Sequence, residues 1–262
     1  MTRPAAFDAD GPADAPAIVF LHGTRLTRSL WKRQMADLRD AYRVVALDLP
    51  GHGALADEGF TLERARMRVI DSIDAEAGGR AVVVGLSLGG YVAMDVAAAS
   101  PGRVRGLVLS GATAEPRGPM SAPFRTFAWA LDRFDGPRLD SLNRWSFRAR
   151  FPPAVAQPII DGGFWSAGGA DAVRALIGER FTHRLAAYPG PTLILNGEYD
   201  LPFRLFAPSF ARAARRPSRV RIAGASHLAN LDRPAAFDLA IRRFVEGLSD
   251  PDRPAEMDPV ID

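Results

Sequence analysis

Short runs of apolar residues alternate along this chain with longer segments in which apolar residues recur at helical spacing. The short runs have the length and composition of strands that are buried on both faces of a sheet. They cover residues 17–21, 44–47, 81–84, 106–109, 192–195 and 219–222. The helical segments include residues 31–38, 62–73 and 91–99, and the last one stops before Pro101. This alternation predicts an α/β fold with a mostly parallel central sheet flanked by helices.

The alternation breaks off between residues 115 and 185, where strand-like runs disappear and proline, glycine and large aromatic residues are frequent. This change predicts a helical cap over 115–185, inserted into a core that is formed by 1–114 and 186–248. The aromatic residues of the cap favour an apolar pocket, and we expect Phe127, Trp129, Trp145 and Trp165 to contact a substrate. Residues 249–262 have no core periodicity and predict a flexible C-terminal tail.

Composition narrows the possible functions. The 33 basic and 30 acidic residues leave a net charge of +3 and form no block of one sign, so nothing indicates binding to nucleic acid. The absence of cysteine excludes disulfides, thiolate metal sites and a cysteine nucleophile. The chain has no secretory signal pattern and no run near the roughly 20 apolar residues that span a bilayer. We expect a cytoplasmic monomer or homodimer that acts on a small molecule and does not bind membranes.

The most informative motif is a serine between two glycines directly after an apolar, β-branched run. Residues 82–90 read Val-Val-Val-Gly-Leu-Ser-Leu-Gly-Gly. They predict a strand, a sharp turn and the start of a helix, with Ser87 at the turn. Small neighbours allow a strained backbone there, and the turn lifts the hydroxyl above the edge of the sheet. Ser87 is therefore a candidate nucleophile, although so short a pattern needs partners to be informative.

A serine nucleophile needs a histidine base and an acid that orients it, and in this fold class they follow in the order serine, acid, histidine. The loop after residues 192–195 offers Glu198 and Asp200, and His227 follows residues 219–222. Both loops are expected at the carboxyl edge of the sheet, where α/β active sites are built. We prefer Asp200 to Glu198 because it lies farther past the strand end and can reach the histidine loop.

Acyl transfer also needs hydrogen-bond donors for the oxyanion of the tetrahedral intermediate. One candidate is the backbone N–H of Leu88, directly after the candidate nucleophile at a helix start. The other is the N–H of Thr24, because Gly23 lets the chain turn after the first apolar run. We interpret His22, in the same loop, as a structural residue that holds the loop by hydrogen bonds.

Four segments in this order resemble the α/β-hydrolase fold superfamily, in its cap-bearing branch of small esterases, lactonases and C–C hydrolases. They are residues 22–23, 48–53, 85–89 and 224–227, and Asp200 lies in the usual interval. The resemblance implies Ser87 as nucleophile, His227 as base and Asp200 as acid, without a metal or cofactor. It also implies that the turn from Asp48 to Gly53 is structural. A serine at the turn departs from the haloalkane dehalogenases, which have an acid there.

The leading interpretation is a serine hydrolase that acts on a small, largely apolar ester, lactone or activated carbonyl compound. The resemblance also admits a C–C bond hydrolase, or a cofactor-free oxygenase or lyase driven by His227. A third alternative is a ligand-binding receptor without catalysis. Arg25 follows Thr24, and at the mouth of the pocket its guanidinium would pair with a substrate carboxylate or enolate.

Overall fold

A single sheet forms the centre of the molecule. The computed structural model describes residues 6–248 and 257–261. Within these residues the strand order is β1-β3-β2-β4-β5-β6-β7-β8, and every pair is parallel except β1 with β3. The strands are β1 (Phe7–Asp10), β2 (Ala17–Leu21), β3 (Arg43–Leu47), β4 (Ala81–Leu86), β5 (Val104–Ser110), β6 (Pro191–Gly197), β7 (Arg216–Ile222) and β8 (Met257–Ile261). All six apolar runs form strands, which confirms the predicted fold class.

The two edge strands are absent from the sequence prediction. β1 is only partly buried and carries aspartates, so it has no apolar run to mark it. The expected flexible tail is wrong for Met257–Ile261, because this segment pairs with β7 and buries Ile261 against the sheet. The remaining positions of that expectation, 249–256 and 262, lie outside the described residues.

Helices cover both faces of the sheet. The first layer contains Val69, Tyr91, Phe181 and Phe210, which come from four different helices. The second layer, on the opposite face, includes Trp31 and residues of the last helix. The helices are α1 (Lys32–Leu38), α2 (Leu62–Glu76), α3 (Leu88–Ala99), α4 (Ser121–Arg133), α5 (Pro137–Arg150), α6 (Pro153–Gly162), α7 (Ser166–Leu176), α8 (Phe181–Ala187), α9 (Leu201–Ala213), α10 (Ala229–Asp232) and α11 (Pro234–Gly247).

The segment between β5 and β6 is helical, and it divides into parts that pack differently. α4 packs on α7, while α5 packs on α6. α5 is the least embedded of these helices, since none of its residues is fully buried. α8 packs against α3 and buries Phe181 and Leu185 in the first layer. The expected boundary between cap and core at 185/186 therefore falls inside a helix that belongs to the core packing.

Candidate active site

Ser87 occupies a strained turn between β4 and α3. Its backbone has φ of 51° and ψ of −114°, in the left-handed half of the map that non-glycine residues rarely adopt. A Cβ at Gly85 would overlap with the backbone of Gly89, and a Cβ at Gly89 would overlap with the carbonyl of Leu21. The two glycines therefore let the strand, the turn and the helix approach closely, as the sequence predicts.

The side chains of His227 and Asp200 contact each other at the carboxyl edge of the sheet. Nδ1 of His227 lies 3.1 Å from each carboxylate oxygen of Asp200. Because a carboxylate only accepts hydrogen bonds, Nδ1 carries the proton and Nε2 is left as the basic nitrogen. Asp200 is 4% exposed, while the side chain of His227 remains partly accessible. In this arrangement the buried carboxylate of Asp200 holds the imidazole of His227 in one orientation.

The loops that carry these two residues are joined by backbone hydrogen bonds. The N–H of Tyr199 donates to the carbonyl of Ala225 at 2.8 Å. The Glu198 carboxylate accepts from the N–H of Gly224 at 2.8 Å and so braces the turn before the histidine. Glu198 is thus occupied elsewhere, and Asp200 is the carboxylate that contacts His227.

Because Gly111 has no side chain, His227 and Asp200 can pack directly against it. This role was not predicted from the sequence. Gly111 has φ of +55°, and a Cβ there would lie 2.8 Å from Nδ1 of His227 and 2.9 Å from an oxygen of Asp200. The sequence signal was a glycine directly after the β5 run, where the chain leaves the sheet next to Ser87. A backbone hydrogen bond holds the end of β5 beside Ser87, since the N–H of Ser87 donates to the carbonyl of Ser110 at 2.8 Å.

A cavity of about 320 Å³ brings the candidate residues together. Ser87, His227, Thr24 and Leu88 all lie on its wall. Leu88 is the first residue of α3, so its N–H points out of the helix N-terminus, where negative charge is favoured. The rest of the wall is mostly apolar and consists of Gly23, Leu26, Leu86, Tyr91, Pro123, Phe124, Phe127, Val173, Leu176, Phe203 and Leu228.

His22 and His52 hold the loop that contains Thr24. Nδ1 of His22 donates to the carbonyl of Gly23, and its Nε2 accepts from the N–H of Leu49, both at 2.9 Å. In the same way, Nε2 of His52 accepts from the N–H of Arg25 at 3.2 Å. Burial lowers the pKa of His22 to about 4 and that of His52 to about 3. Both rings are therefore neutral and brace the loop, which agrees with the structural interpretation.

Asp48 is the centre of a second brace in this region. It is completely buried and accepts hydrogen bonds from the backbone N–H groups of Arg28 and Ala54, each at 2.9 Å. Its carboxylate also pairs with the guanidinium of Arg28. All these contacts are within the loops, so Asp48 acts as a structural residue.

Arg25 does not lie on the cavity wall. Its Nε donates to the hydroxyl of Ser166 at 3.2 Å, and its guanidinium carbon lies 5.8 Å from the centre of the Phe164 ring. Burial lowers the pKa of this guanidinium. The expected pairing with a substrate at the pocket mouth is therefore not what the structure shows, because Arg25 is turned toward the helical segment and bound there.

Of the four aromatic residues expected to contact a substrate, only Phe127 lies on the cavity wall, where it is 45% exposed. Trp129 and Trp145 are 58% and 66% exposed and are not among the described residues that line the cavity. Trp165 lines a separate cleft together with Phe164. The structure thus places these three tryptophans away from the cavity wall, because aromatic content alone does not determine which side chains face inward.

Phe203 is the most informative residue that sequence reasoning missed. Its ring stacks on the imidazole of His227, with centroids 4.9 Å apart and planes at 25°. Other missed wall residues had a usable signal. Phe124 lies one helical turn before the predicted Phe127 on α4, and Val173 and Leu176 are spaced by one turn on α7.

Comparison with known proteins agrees with this architecture. A model of the alpha/beta hydrolase family matches residues 18–238, which include the whole candidate site. The chain belongs to the alpha/beta hydrolase family. It is an enzyme of this family, with esterases and lactonases among its relatives. No helix among the described residues is long and apolar enough to cross a membrane.

Several relatives of this alpha/beta hydrolase are named as lactonases or esterases. The chain is 27% identical to 3-oxoadipate enol-lactonase 1 of Acinetobacter baylyi, over 91% of this chain and 92% of that protein. It is 28% identical to a pimeloyl-[acyl-carrier protein] methyl ester esterase of Edwardsiella ictaluri, over 88% of this chain and 94% of the other. Its structure resembles the enol-lactonase of Burkholderia xenovorans LB400 with a TM-score of 0.76 at 25% identity, covering 92% and 95% of the two chains.

Proposed function

We propose that this chain is a serine hydrolase with a Ser87, His227 and Asp200 triad that cleaves a small, largely apolar ester, lactone or activated carbonyl compound. The observation that carries the proposal is the His227 imidazole, which is held by Asp200 at 3.1 Å and shares a cavity wall with Ser87. The names of the relatives support it, because a lactonase and a methyl ester esterase both cleave acyl–oxygen bonds.

In the first half of the reaction, Nε2 of His227 takes the proton of the Ser87 hydroxyl, and Oγ attacks the carbonyl carbon. The Asp200 carboxylate stabilises the imidazolium that forms. In this proposal the N–H groups of Leu88 and Thr24, both on the cavity wall, bind the negative oxygen of the tetrahedral intermediate, and each such donor contributes roughly 3 kcal/mol. His227 then gives its proton to the leaving oxygen, and the acyl group stays on Ser87.

In the second half, water replaces the leaving group. His227 takes a proton from the water, which attacks the acyl-enzyme through a second oxyanion at the same two N–H groups. Collapse of that intermediate returns the proton to Oγ of Ser87 and releases the acid. The ring of Phe203 covers one face of the imidazole, and the rest of the His227 side chain stays accessible to the attacking water.

A fluorophosphonate probe tests this function directly. We expect intact-mass analysis to show one adduct on the wild-type protein and none on Ser87→Ala. Hydrolysis of short p-nitrophenyl esters should fall by roughly 10⁴-fold or more in Ser87→Ala and in His227→Ala. A wild-type protein that takes up no probe would rule out a serine nucleophile. Turnover that survives in Ser87→Ala would instead favour chemistry driven by His227.

A further inference from the structure

The cavity in front of Ser87 offers no fixed charge to a substrate. Among the described residues on its wall, His227 and Tyr91 are the only ones with an ionisable side chain, and none is a lysine, arginine, aspartate or glutamate. The Tyr91 hydroxyl donates to the carbonyl of Ala114 at 2.8 Å, and burial raises the pKa of Tyr91 further above its usual range. The polar groups that remain for a substrate are therefore those of Ser87, His227 and Thr24 and the backbone N–H of Leu88, which the proposed reaction already uses.

Arg25, the cation that follows Thr24 in the chain, is engaged outside the cavity. Its side chain contacts Ser166 and Phe164, as described above, and the backbone N–H of Trp165 donates to the backbone carbonyl of Arg25 at 2.9 Å. A Cβ at Gly169 would lie 2.7 Å from Cγ of Arg25, so α7 packs directly on this side chain. These contacts hold the guanidinium away from the cavity.

We propose that this site selects electrically neutral acyl groups and rejects acyl groups that end in a carboxylate. The inference rests on the proposed serine hydrolase function and concerns the charge of its substrate. A carboxylate inside this cavity would lose its hydration without gaining a cation or a set of hydrogen-bond donors, and that loss is costly. The name of the Acinetobacter relative refers to a lactone of a dicarboxylic acid, so this chain would differ from that relative in substrate charge.

The volume of the cavity limits the size of the substrate. At 320 Å³ the cavity lies at the small end of the roughly 300–1,000 Å³ that is usual for pockets of small ligands. A methyl ester with a medium-length aliphatic acyl chain fits this limit. The wall around such a chain includes Phe124, Val173 and Leu176, which offer no polar side chain to an acid group at its end.

The test compares two methyl esters of nearly equal length, methyl heptanoate and monomethyl adipate, by titrating the acid released at constant pH. We expect kcat/KM to be at least about 100-fold higher for methyl heptanoate, since the charged end must be desolvated. The fluorophosphonate adduct on Ser87 is measured in the same preparation. A labelled enzyme that cleaves monomethyl adipate as well as methyl heptanoate would overturn the charge selection and leave the serine hydrolase function intact.

Two variants locate the origin of the selection. Arg25→Met keeps the length of the side chain and removes the charge, and we expect the ratio of the two kcat/KM values to stay unchanged. Phe127→Arg adds a cation at the partly exposed rim of the cavity, and the ratio should move toward monomethyl adipate, whereas Phe127→Leu should not move it in that direction. A loss of adipate cleavage in Arg25→Met would show that Arg25 reads substrate charge, contrary to the proposal.

Discussion

Gly111 shows how one absent side chain fixes the place of the proposed base and acid. Its position leaves no room for a Cβ between Nδ1 of His227 and the Asp200 carboxylate. We expect Gly111→Ala to push the two groups apart and to lower kcat for short esters by about 100-fold, because a displacement near 1 Å in a catalytic group has effects of that size. Initial rates and the thermal midpoint are the measurements.

Gly78→Ala is a matched control for this variant. Gly78 has φ of +61°, close to the +55° of Gly111, and its Cβ would meet no atom within 4 Å. Both variants carry the strain of a left-handed alanine, about 1 kcal/mol, but only one carries the clash. A kcat that falls equally in both would contradict the assigned role of Gly111.

At this scale the sequence predicted residues whose roles depend on their neighbours along the chain. Ser87 has a glycine two positions away on each side, and Asp200 and His227 follow the strands β6 and β7 of the central sheet. Phe203 was missed because its importance depends on its contact with the His227 ring. That residue is 24 positions later in the chain, and only the folded loops bring the two ring centroids to 4.9 Å. The positions of Trp129, Trp145 and Trp165 outside the cavity wall could not be predicted for the same reason, because the inward face of a helix is defined by what packs on it.

Helix α5 is tied to the histidine loop by its last residue. Arg150 pairs with Asp232 at 2.6 Å and also contacts the hydroxyl of Ser226. Asp232 in turn accepts from the N–H of Ser226 at 2.8 Å, directly before His227. We expect Arg150→Ala to loosen this loop and to lower kcat roughly tenfold with a smaller change in KM, because the base is misplaced rather than the substrate unbound.

Arg148→Ala is the control for the same helix. Arg148 lies two positions before Arg150 on α5 and is exposed. Its substitution by alanine removes the same charge from the helix and leaves the Arg150 contacts with the histidine loop in place. Both single variants are measured for kcat and KM on one short ester. If the two variants behave alike, the effect arises from the charge of α5 and not from the Arg150 contact.

At the scale of elements, burial on both faces decided what was predictable. Strands β2 to β6 are mostly apolar and almost fully buried, so their runs stand out in the sequence. β7 is only partly buried and alternates Val220 and Ile222 with arginines. β1 and β8 lie at the two edges, where fewer neighbours demand apolar residues. The end of the helical segment was misjudged because Phe181 and Leu185 of α8 look like cap residues in composition and become core residues only through α3.

For the whole molecule, buried titratable groups make stability depend on pH in two opposite senses. His22 and His52 have pKa values lowered to about 4 and 3, so their neutral forms stabilise the fold above the ordinary value of 6.5, and this stability is lost as the pH falls toward those values. Composition gives no hint of this, since four histidines could equally lie on the surface. Burial makes the difference, and burial is a property of the whole fold.

Asp238 on α11 acts in the other sense. It is 5% exposed, and burial, followed by the charge of Asp37, raises its pKa to about 7 from the ordinary 3.8. Between these values the folded state holds a proton that the unfolded state has lost, so stability from this group declines as the pH rises through that window. The decline approaches about 1.4 kcal/mol per pH unit and ends above the folded pKa.

The variant Asp238→Asn has an uncharged side chain of nearly the same shape at every pH. Comparing it with the wild type therefore isolates the contribution of Asp238 ionisation to the free energy of unfolding. We expect urea unfolding to give equal stabilities for variant and wild type near pH 4 and a more stable variant at pH 8. His22 and His52 are unchanged in both proteins, so their loss of stability at low pH cancels in the difference. A difference that stays constant from pH 4 to pH 8 would mean that Asp238 is ionised in the folded protein, with Arg242 compensating for the nearby Asp37.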